Sequence, residues 1–403
     1  MKTLLKRILH FDVIAVCINI FLFIWIVSII KIDLGFLDPV GKALSDFDVY
    51  DIYFSKLREE PNADTNIVLV NIGNLGRAEI GHQINVINRY SPKVIGLDAL
   101  FFTEKDSQSD SVLADAFSKV ENMVLVSKLD YYNDSNDSYD SLITSINKFS
   151  IHTKNGFANL PDDATGSFRT IRNFKPSAVC SGKQVNSFAV NVAGIYSKDA
   201  ADEFIKRENE YEMINYRGNY NKFYYIDAPD LFDETRSFSF IKNKIVLMGY
   251  MGTDLSTQTV DDAFFTPLNE KYAGRSFPDM YGIVIHANIV SMLLYRNYIG
   301  QLPYIFSIIF AIILCYINAV ILVYMKKHHD KWYNGFNKAF IFVQTVGNLF
   351  LGVWLFSSFN YRINLTLAIA VIVLVPSFID LYYNYLETLY AKIKNSLKGK
   401  KHE

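Results

Sequence analysis

Four apolar stretches limit the structures that this chain can adopt. They cover residues 13–30, 304–325, 339–356 and 363–381. Each is close to the ~20 residues that an α-helix needs to cross the hydrocarbon core of a bilayer. Backbone amides in lipid must bond within their own segment, so runs of this length favour helices. We therefore expect four transmembrane α-helices, one before and three after a long polar region.

Basic residues predict the orientation of these helices. They cluster in three places: at the N-terminus, between the second and third apolar runs, and in the C-terminal tail. Positively charged segments of this kind face the cytoplasm. The first run is long, and no small-residue cleavage pattern follows it, which is typical of an uncleaved signal anchor. We expect a multi-pass protein of a bacterial inner (cytoplasmic) membrane, with both termini in the cytoplasm.

This orientation divides the chain into four segments. Residues 1–30 are the cytoplasmic N-terminus and the signal anchor, residues 31–302 an extracytoplasmic domain on the periplasmic side, residues 303–383 three transmembrane helices, and residues 384–403 a short basic cytoplasmic tail. The chain has a net charge of −1, but the large domain is acidic and its flanks are basic. An acidic domain outside the cell argues against nucleic-acid binding.

Residues 66–102 predict a strand, a helix and a second strand. The apolar run 67–72 is typical of a strand buried on both faces. Ile80, Ile84 and Ile87 then recur at helical spacing, and Ser91-Pro92 ends the helix before the apolar run 94–100. The glycine turn between strand and helix lacks the third glycine and the lysine of phosphate-binding loops, which favours a tight turn over a nucleotide site.

The rest of the domain continues this alternation. Apolar patterns predict further helices at 111–120, 186–196 and 281–299, and further strands at 122–129 and 243–250. Residues 211–218 and 222–227 read as a hairpin, whereas 130–141 and 155–174 read as polar loops. We therefore expect an α/β fold with a mainly parallel sheet.

Polar residues at the predicted strand ends are the candidate ligand-binding residues. Asn71, Asp98 and Asp254 follow strands, and the carboxyl ends of parallel strands line ligand crevices. Asn159 and Arg169 lie in the loop that we expect beside them. The same residue types also cap helices and tie loops together, so a purely structural role stays open.

Other chemistry finds little support in the sequence. His286 lies on the apolar side of its helix, where a structural, hydrogen-bonded histidine is the simpler interpretation. No His/Cys pair has metal-binding spacing, and no G-x-S-x-G nucleophile motif occurs. We expect no catalysis, no metal and no cofactor. Asn318, Gln344 and Asn348 are expected to hold membrane helices or subunits together.

Several motifs together resemble one family. They are "IVLVNIG", "VIGLDALFF", "GFANLPDDATGSFR", "INYRG", "IKNKIVLMGY", and "TPL" followed by "GIVIHANIVSMLL". Their order and spacing, over about residues 40–302, resemble the type-2 CHASE domain, an extracellular sensory domain of bacterial signalling receptors. The family typically has an aspartate where Asn71 stands.

The resemblance implies a membrane-anchored sensor that binds a small ligand or an extracytoplasmic protein, and it is compatible with a homo-oligomer. The short tail after the last apolar run matches no output domain. We therefore expect signalling through the transmembrane helices to a separate cytoplasmic or membrane effector. The alternative is a structural or assembly subunit of an envelope complex, without a small-molecule ligand.

Overall fold

The structure is a computed structural model, and it describes residues 11–29, 48–160, 170–255, 259–269 and 277–386. The chain divides into two compact units. One is Ser45–Ile299, and the other combines Met1–Leu44 with Gly300–Glu403. The first unit contains an α/β domain and the second contains the long apolar helices.

The described helices are α1 (Phe11–Ile29), α2 (Val49–Ile52), α3 (Arg77–Asn88), α4 (Ser107–Ser118), α5 (Asn147–Ser150), α6 (Phe188–Tyr196), α7 (Lys198–Ile205), α8 (Gly282–Leu294), α9 (Tyr304–His328), α10 (Asp330–Phe359) and α11 (Thr366–Leu381). Two π-helical turns, Tyr53–Leu57 and Tyr382–Leu386, continue α2 and α11. The described strands are β1 (Asp64–Asn71), β2 (Val94–Leu97), β3 (Met123–Asn133), β4 (Ser138–Ile143), β5 (Lys154–Phe157), β6 (Asn173–Phe174), β7 (Ser177–Cys180), β8 (Lys183–Asn186), β9 (Glu212–Met213), β10 (Phe223–Ile226), β11 (Ile245–Gly249), β12 (Ala263–Phe264), β13 (Met280–Tyr281), β14 (Gly300–Gln301) and β15 (Tyr361–Arg362).

The domain is built on a mostly parallel sheet, as the sequence predicts. The strand order is β10-β1-β11-β2-β3-β4-β7-β8, and β5 also pairs with β3. All pairs from β10 to β3 are parallel, while β4 runs antiparallel to β3. The predicted strand-helix-strand unit corresponds to β1, α3 and β2, with β11 between the two strands. These central strands are buried on both faces, which explains their nearly continuous apolar sequence.

Helices cover both faces of the sheet. On one face, Ile84 of α3 and Phe117 of α4 share a buried cluster with Val68, Ile95 and Leu97 of the strands. On the opposite face lie α6 and α8, and glycines let these helices approach the sheet closely.

The close approach of α6 and α8 is visible at three strand glycines. A Cβ atom at Gly156 would lie 2.6 Å from the Phe188 Cα, and one at Gly96 would lie 2.8 Å from the ring of the same residue. One at Gly249 would lie 2.6 Å from the Ile283 Cβ. Each distance is shorter than real Cβ contacts, so the helices rest directly on the strand backbone.

Three local predictions were wrong. The polar segment 130–141 is not a loop, because β3 continues through it to Asn133 and pairs with β4. Residues 154–157 form β5 beside β3. The expected hairpin of 211–227 does not exist: β9 pairs with β6, and β10 pairs in parallel with β1.

The described part of the other unit contains four helices that are long and apolar enough to cross a membrane: α1, α9, α10, and α11 with its π-helical turn. The side-chain amides of Asn318 and Gln344 bond to each other in both directions at 2.8 Å, joining α9 to α10 as expected. Asn348 instead donates to the Gln344 carbonyl of its own helix at 2.8 Å. Asp12 of α1 accepts hydrogen bonds from Lys327 of α9 and Tyr382 after α11, at 2.5 and 3.0 Å.

Candidate functional site

The sequence-predicted site falls at the carboxyl ends of β1, β11 and β2. These strands are neighbours in the parallel part of the sheet, so their ends meet along one edge. Asn71 ends β1, Asp98 follows β2, and Asp254 lies in the loop after β11. The surroundings of each side chain differ, and they decide what each residue can do.

Asn71 is fully buried, and every hydrogen-bonding position of its amide is filled. Its Nδ2 donates to the Asp227 Oδ1 at 2.8 Å and to the Gly252 carbonyl at 3.1 Å. Its Oδ1 accepts from the Gly73 and Met251 amides, both at 2.9 Å. The amide therefore joins the loops that follow β1, β10 and β11. It has no capacity left for a ligand.

Asp227 is the residue at this edge that the sequence interpretation missed. Besides Asn71, it accepts from its neighbour Ala228 at 2.8 Å and from the Leu255 amide at 3.1 Å. Asp254 therefore lies next to a residue that Asp227 holds in place. The sequence signal was an aspartate between a strand and Ala228-Pro229, a pattern typical of a side-chain-capped turn.

Asn159 lies away from the other candidates. Its amide pairs with both backbone groups of Leu129, accepting from N at 2.7 Å and donating to O at 3.1 Å. It thereby extends the pairing of β3 with β5. Three strand spacings separate β3 from β1, or about 14 Å, so Asn159 does not converge with Asn71. Arg169 lies outside the described residues.

Asp98 differs from the other candidates because it is half-buried and accepts no hydrogen bond among the described residues. Ile95 and Leu97 face α3 and α4, while Gly96 faces α6. By strand alternation Asp98 is directed to the α6 and α8 side. Burial and, to a smaller extent, repulsion by Asp262 raise the pKa of its carboxyl to about 7. At neutral pH this group is therefore poised to gain or lose a proton.

Asp262 and α8 complete the surroundings of Asp98. The Asp262 Oδ2 lies 3.3 Å from where a Cβ of Gly282 would be, at the first residue of α8. A carboxylate at a helix N-terminus is favourable, because it faces the positive end of the helix dipole. Among the described residues no group of three His, Cys, Asp or Glu side chains is placed to hold a metal ion.

His286 lies one turn further along α8. It is 4% exposed and packs edge-on against Phe188, with ring centroids 5.3 Å apart. Burial lowers its pKa to about 4, so the ring is neutral. The histidine is buried as expected, but its Nδ1 has no hydrogen-bond partner among the described residues.

A polar cavity is lined in part by the segment that leads into β10. No sequence motif indicated this cavity. Its volume is about 470 Å³, and its wall includes Arg58, Arg217 and Lys222 together with Glu60 and Asp279. Arg58 is far from Arg217 and Lys222 in the sequence, so only folding brings it to them.

Comparison with known proteins identifies the family. The sequence model of the CHASE2 domain matches residues 22–323, which is most of the chain. The match starts inside α1 and ends inside α9. No curated protein and no solved structure shows significant similarity to the chain. The chain therefore belongs to the CHASE2 family of extracellular sensory domains.

Proposed function

We propose that this protein is a membrane-anchored sensor whose α/β domain lies outside the cytoplasm and whose helices pass the signal to a separate effector. The observation that carries the proposal is the match to an extracellular sensory domain that is flanked by apolar helices on both sides. The domain senses a small ligand or an extracytoplasmic protein, and catalysis has no part in its role.

The polar contacts within the apolar unit support signal transmission. The Asp12 carboxylate on α1 is bonded to Lys327 of α9, to Tyr382, and to Tyr383 at 2.9 Å. One carboxylate therefore links three of the four helices. A shift of α1 along its axis would break these bonds together, and such two-state contacts are what a signalling bundle needs.

The positive charges support the orientation. The segments expected in the cytoplasm carry clustered Lys and Arg, including Lys326, Lys327 and Lys331 at the turn from α9 to α10. The same rule supports an α/β domain, Ser45–Ile299, outside the inner membrane.

Cysteine labelling tests the orientation. Ser135→Cys at the exposed β3–β4 turn and Lys331→Cys at the start of α10 are made in a chain whose native cysteines are replaced by serine. We expect a membrane-impermeant maleimide to label Ser135→Cys in spheroplasts, and Lys331→Cys only after lysis. The reverse pattern would rule out an extracytoplasmic domain.

Photocrosslinking tests transmission to an effector. A photoreactive amino acid at position 331 should capture one cytoplasmic or inner-membrane signalling protein, whereas one at the exposed Tyr131 of β3 should not. Capture of an envelope protein from position 131 alone would instead favour the structural or assembly subunit.

A further inference from the structure

The cavity that the segment before β10 lines contains two half-buried arginines, Arg58 and Arg217, and neither forms an ion pair with a described carboxylate. It is bordered by the π-helical turn Tyr53–Leu57, by the segment that leads into β10, and by Met280 of β13. Its volume of about 470 Å³ falls in the range of small-molecule sites. π-Helical turns occur frequently at functional sites.

Arg58 provides the first cation. Its guanidinium donates to the Asn215 Oδ1 at 3.2 Å and to the Tyr216 carbonyl at 2.5 Å, and it lies over the Phe54 ring. These acceptors are neutral, and no described carboxylate lies within ion-pair distance of the side chain. Half-buried charge without a counterion is costly. Burial lowers the pKa of Arg58, and the charge of Arg217 lowers it further.

Arg217 provides the second cation. Its guanidinium donates to the Ser291 Oγ at 2.8 Å and to the Asn62 carbonyl at 2.7 Å. Ser291 in turn donates to Asp64 at 2.7 Å, so a hydroxyl lies between Arg217 and the Asp64 carboxylate. The fork of Arg217 is therefore held rigidly by neutral groups while its positive charge remains largely uncompensated.

Two of the remaining charges of the wall pair with each other, and the Asp279 carboxylate is held by neutral groups. Lys222 forms an ion pair with Glu60 at 2.6 Å. The Asp279 carboxylate accepts from the Thr266 amide at 2.8 Å, and burial raises its pKa to about 6. What the cavity offers a ligand is thus the two arginines, with carboxylates nearby that disfavour a second negative charge.

We propose that this cavity binds a small monocarboxylate that also carries hydroxyl or amino groups, with its carboxylate between Arg58 and Arg217. The planar guanidinium matches carboxylate geometry. The hydroxyl or amino groups of the ligand donate hydrogen bonds to the carboxylates of Asp279 and Glu59 on the same wall. A dianion such as phosphate is disfavoured by these acids.

The site deepens the proposed function and rests on it for its meaning. Arg58 directly follows the π-helical turn, in the segment that connects α1 to the domain along the chain. A ligand held by Arg58 therefore acts on the segment closest in sequence to the first apolar helix.

Titration of the full chain in detergent tests the binding. The probes are sodium gluconate and L-serine, against inorganic phosphate and succinate, with heat and melting temperature measured in a chloride buffer. We expect at least one of the two monocarboxylates to bind and to raise the melting temperature. Binding by none of the four probes, or tighter binding of phosphate or succinate, overturns the proposal.

Variants locate the site. Arg58→Gln should weaken binding by about tenfold or more, whereas Arg236→Gln, at an exposed surface pair, should not change it. Asn221→Trp fills the cavity mouth without removing a charge, so it should abolish binding even if Arg58→Gln fails to fold. Unchanged affinity in Asn221→Trp and Arg58→Gln would place the ligand elsewhere.

These outcomes are independent of membrane orientation and of any effector. Binding with a reversed labelling pattern would leave the site standing and remove the proposed function. An extracytoplasmic domain that binds no probe would remove the proposed site and leave the proposed function standing.

Discussion

Asn71 shows what a single residue can and cannot reveal before the fold is known. Its position at the end of a strand follows from the apolar run before it, so its place at the sheet edge could be predicted. Its partners Asp227 and Gly252 lie 156 and 181 residues away in the chain. Whether its amide is open to a ligand or filled by the protein depends on those distant loops, and no local pattern contains that information.

Replacing Asn71 by the aspartate typical of the family should therefore destabilise this protein. The new carboxylate would face the Asp227 carboxylate and the Gly252 carbonyl, so repulsion and lost bonds should cost about 3 kcal/mol of unfolding free energy. Asn71→Asp combined with Asp227→Asn restores an amide–carboxylate pair with exchanged partners. We expect the double variant to recover part of the loss in denaturant unfolding, and Asn136→Asp, on the exposed turn, to be neutral. Equal losses in the single and double variants would contradict this reading.

Asp98 should make stability depend on pH. Its folded pKa of about 7 lies above the unfolded value of ~3.9, so the folded state holds the proton more tightly. Its contribution is full below pH ~3.9 and is lost as pH rises towards 7. Asp98→Asn should therefore be more stable than the wild type at pH 8, on the order of 1–2 kcal/mol because the half-buried carboxyl keeps some solvent contact.

Melting temperatures at pH 5 and pH 8 check this expectation. His286 acts in the opposite direction, because its lowered pKa of about 4 costs stability as pH falls below ~6.5. Lowering the pH from 8 to 5 should thus reduce the melting temperature more in Asp98→Asn than in the wild type, because the variant lacks the opposing contribution of Asp98. Asp115→Asn, on the exposed face of α4, is the matched control. An unchanged difference between the two pH values in Asp98→Asn would show that Asp98 does not titrate in this range.

At the scale of elements, the central strands and the long helices could be predicted because burial dictates their composition. β1, β2 and β11 are apolar on both faces, and α6 and α8 carry long apolar runs. β4 and the outer part of β3 could not be predicted, because many of their side chains are partly or fully exposed and their polar sequence is typical of a loop. The prediction of a hairpin at 211–227 was wrong for another reason. β10 pairs with the distant β1, and the sequence pattern of a strand does not indicate which strand it pairs with.

The contact between α2 and the domain offers an element-scale test. Arg172 bonds the Asp51 carboxylate with two nitrogens, at 2.9 and 2.6 Å, and both side chains are largely buried. Arg172→Leu leaves a buried carboxylate without this partner, which should cost about 3–5 kcal/mol. Hydrogen exchange of residues 48–60 should speed up in this variant.

Two controls sharpen that comparison. Arg236→Leu removes an exposed arginine and should leave exchange in residues 48–60 unchanged. Asp51→Leu with Arg172→Leu removes both charges, so it should regain part of the lost stability. If hydrogen exchange of residues 48–60 is as slow in Arg172→Leu as in the wild type, the ion pair does not hold α2 against the domain.

At the scale of the whole molecule, the apolar helices can be tested through their own cysteines. The described cysteines are free, and Cys17 on α1 packs against the apolar cluster that contains Cys315 on α9. Mild oxidation of the full chain in membranes with copper phenanthroline should therefore join α1 to α9 in an intramolecular disulfide. Mass spectrometry of the digested protein detects the joined peptides.

The matched control is Cys17→Ser, which should give no joined peptide, while Cys180, buried in the domain, should stay unoxidised. A disulfide only between two copies of the chain would show that α1 packs against a neighbouring molecule instead.

The glycines beneath α6 and α8 have a consequence for how this sequence can change over generations. At Gly96, Gly156 and Gly249 even alanine would collide with the helix resting on the strand. At Gly335 a side chain would meet nothing within 4 Å. Substitutions should therefore be lost by selection at the three strand glycines and tolerated at Gly335. In a saturation library selected for folded protein, nearly all variants at Gly96, Gly156 and Gly249 should disappear, and most variants at Gly335 should remain.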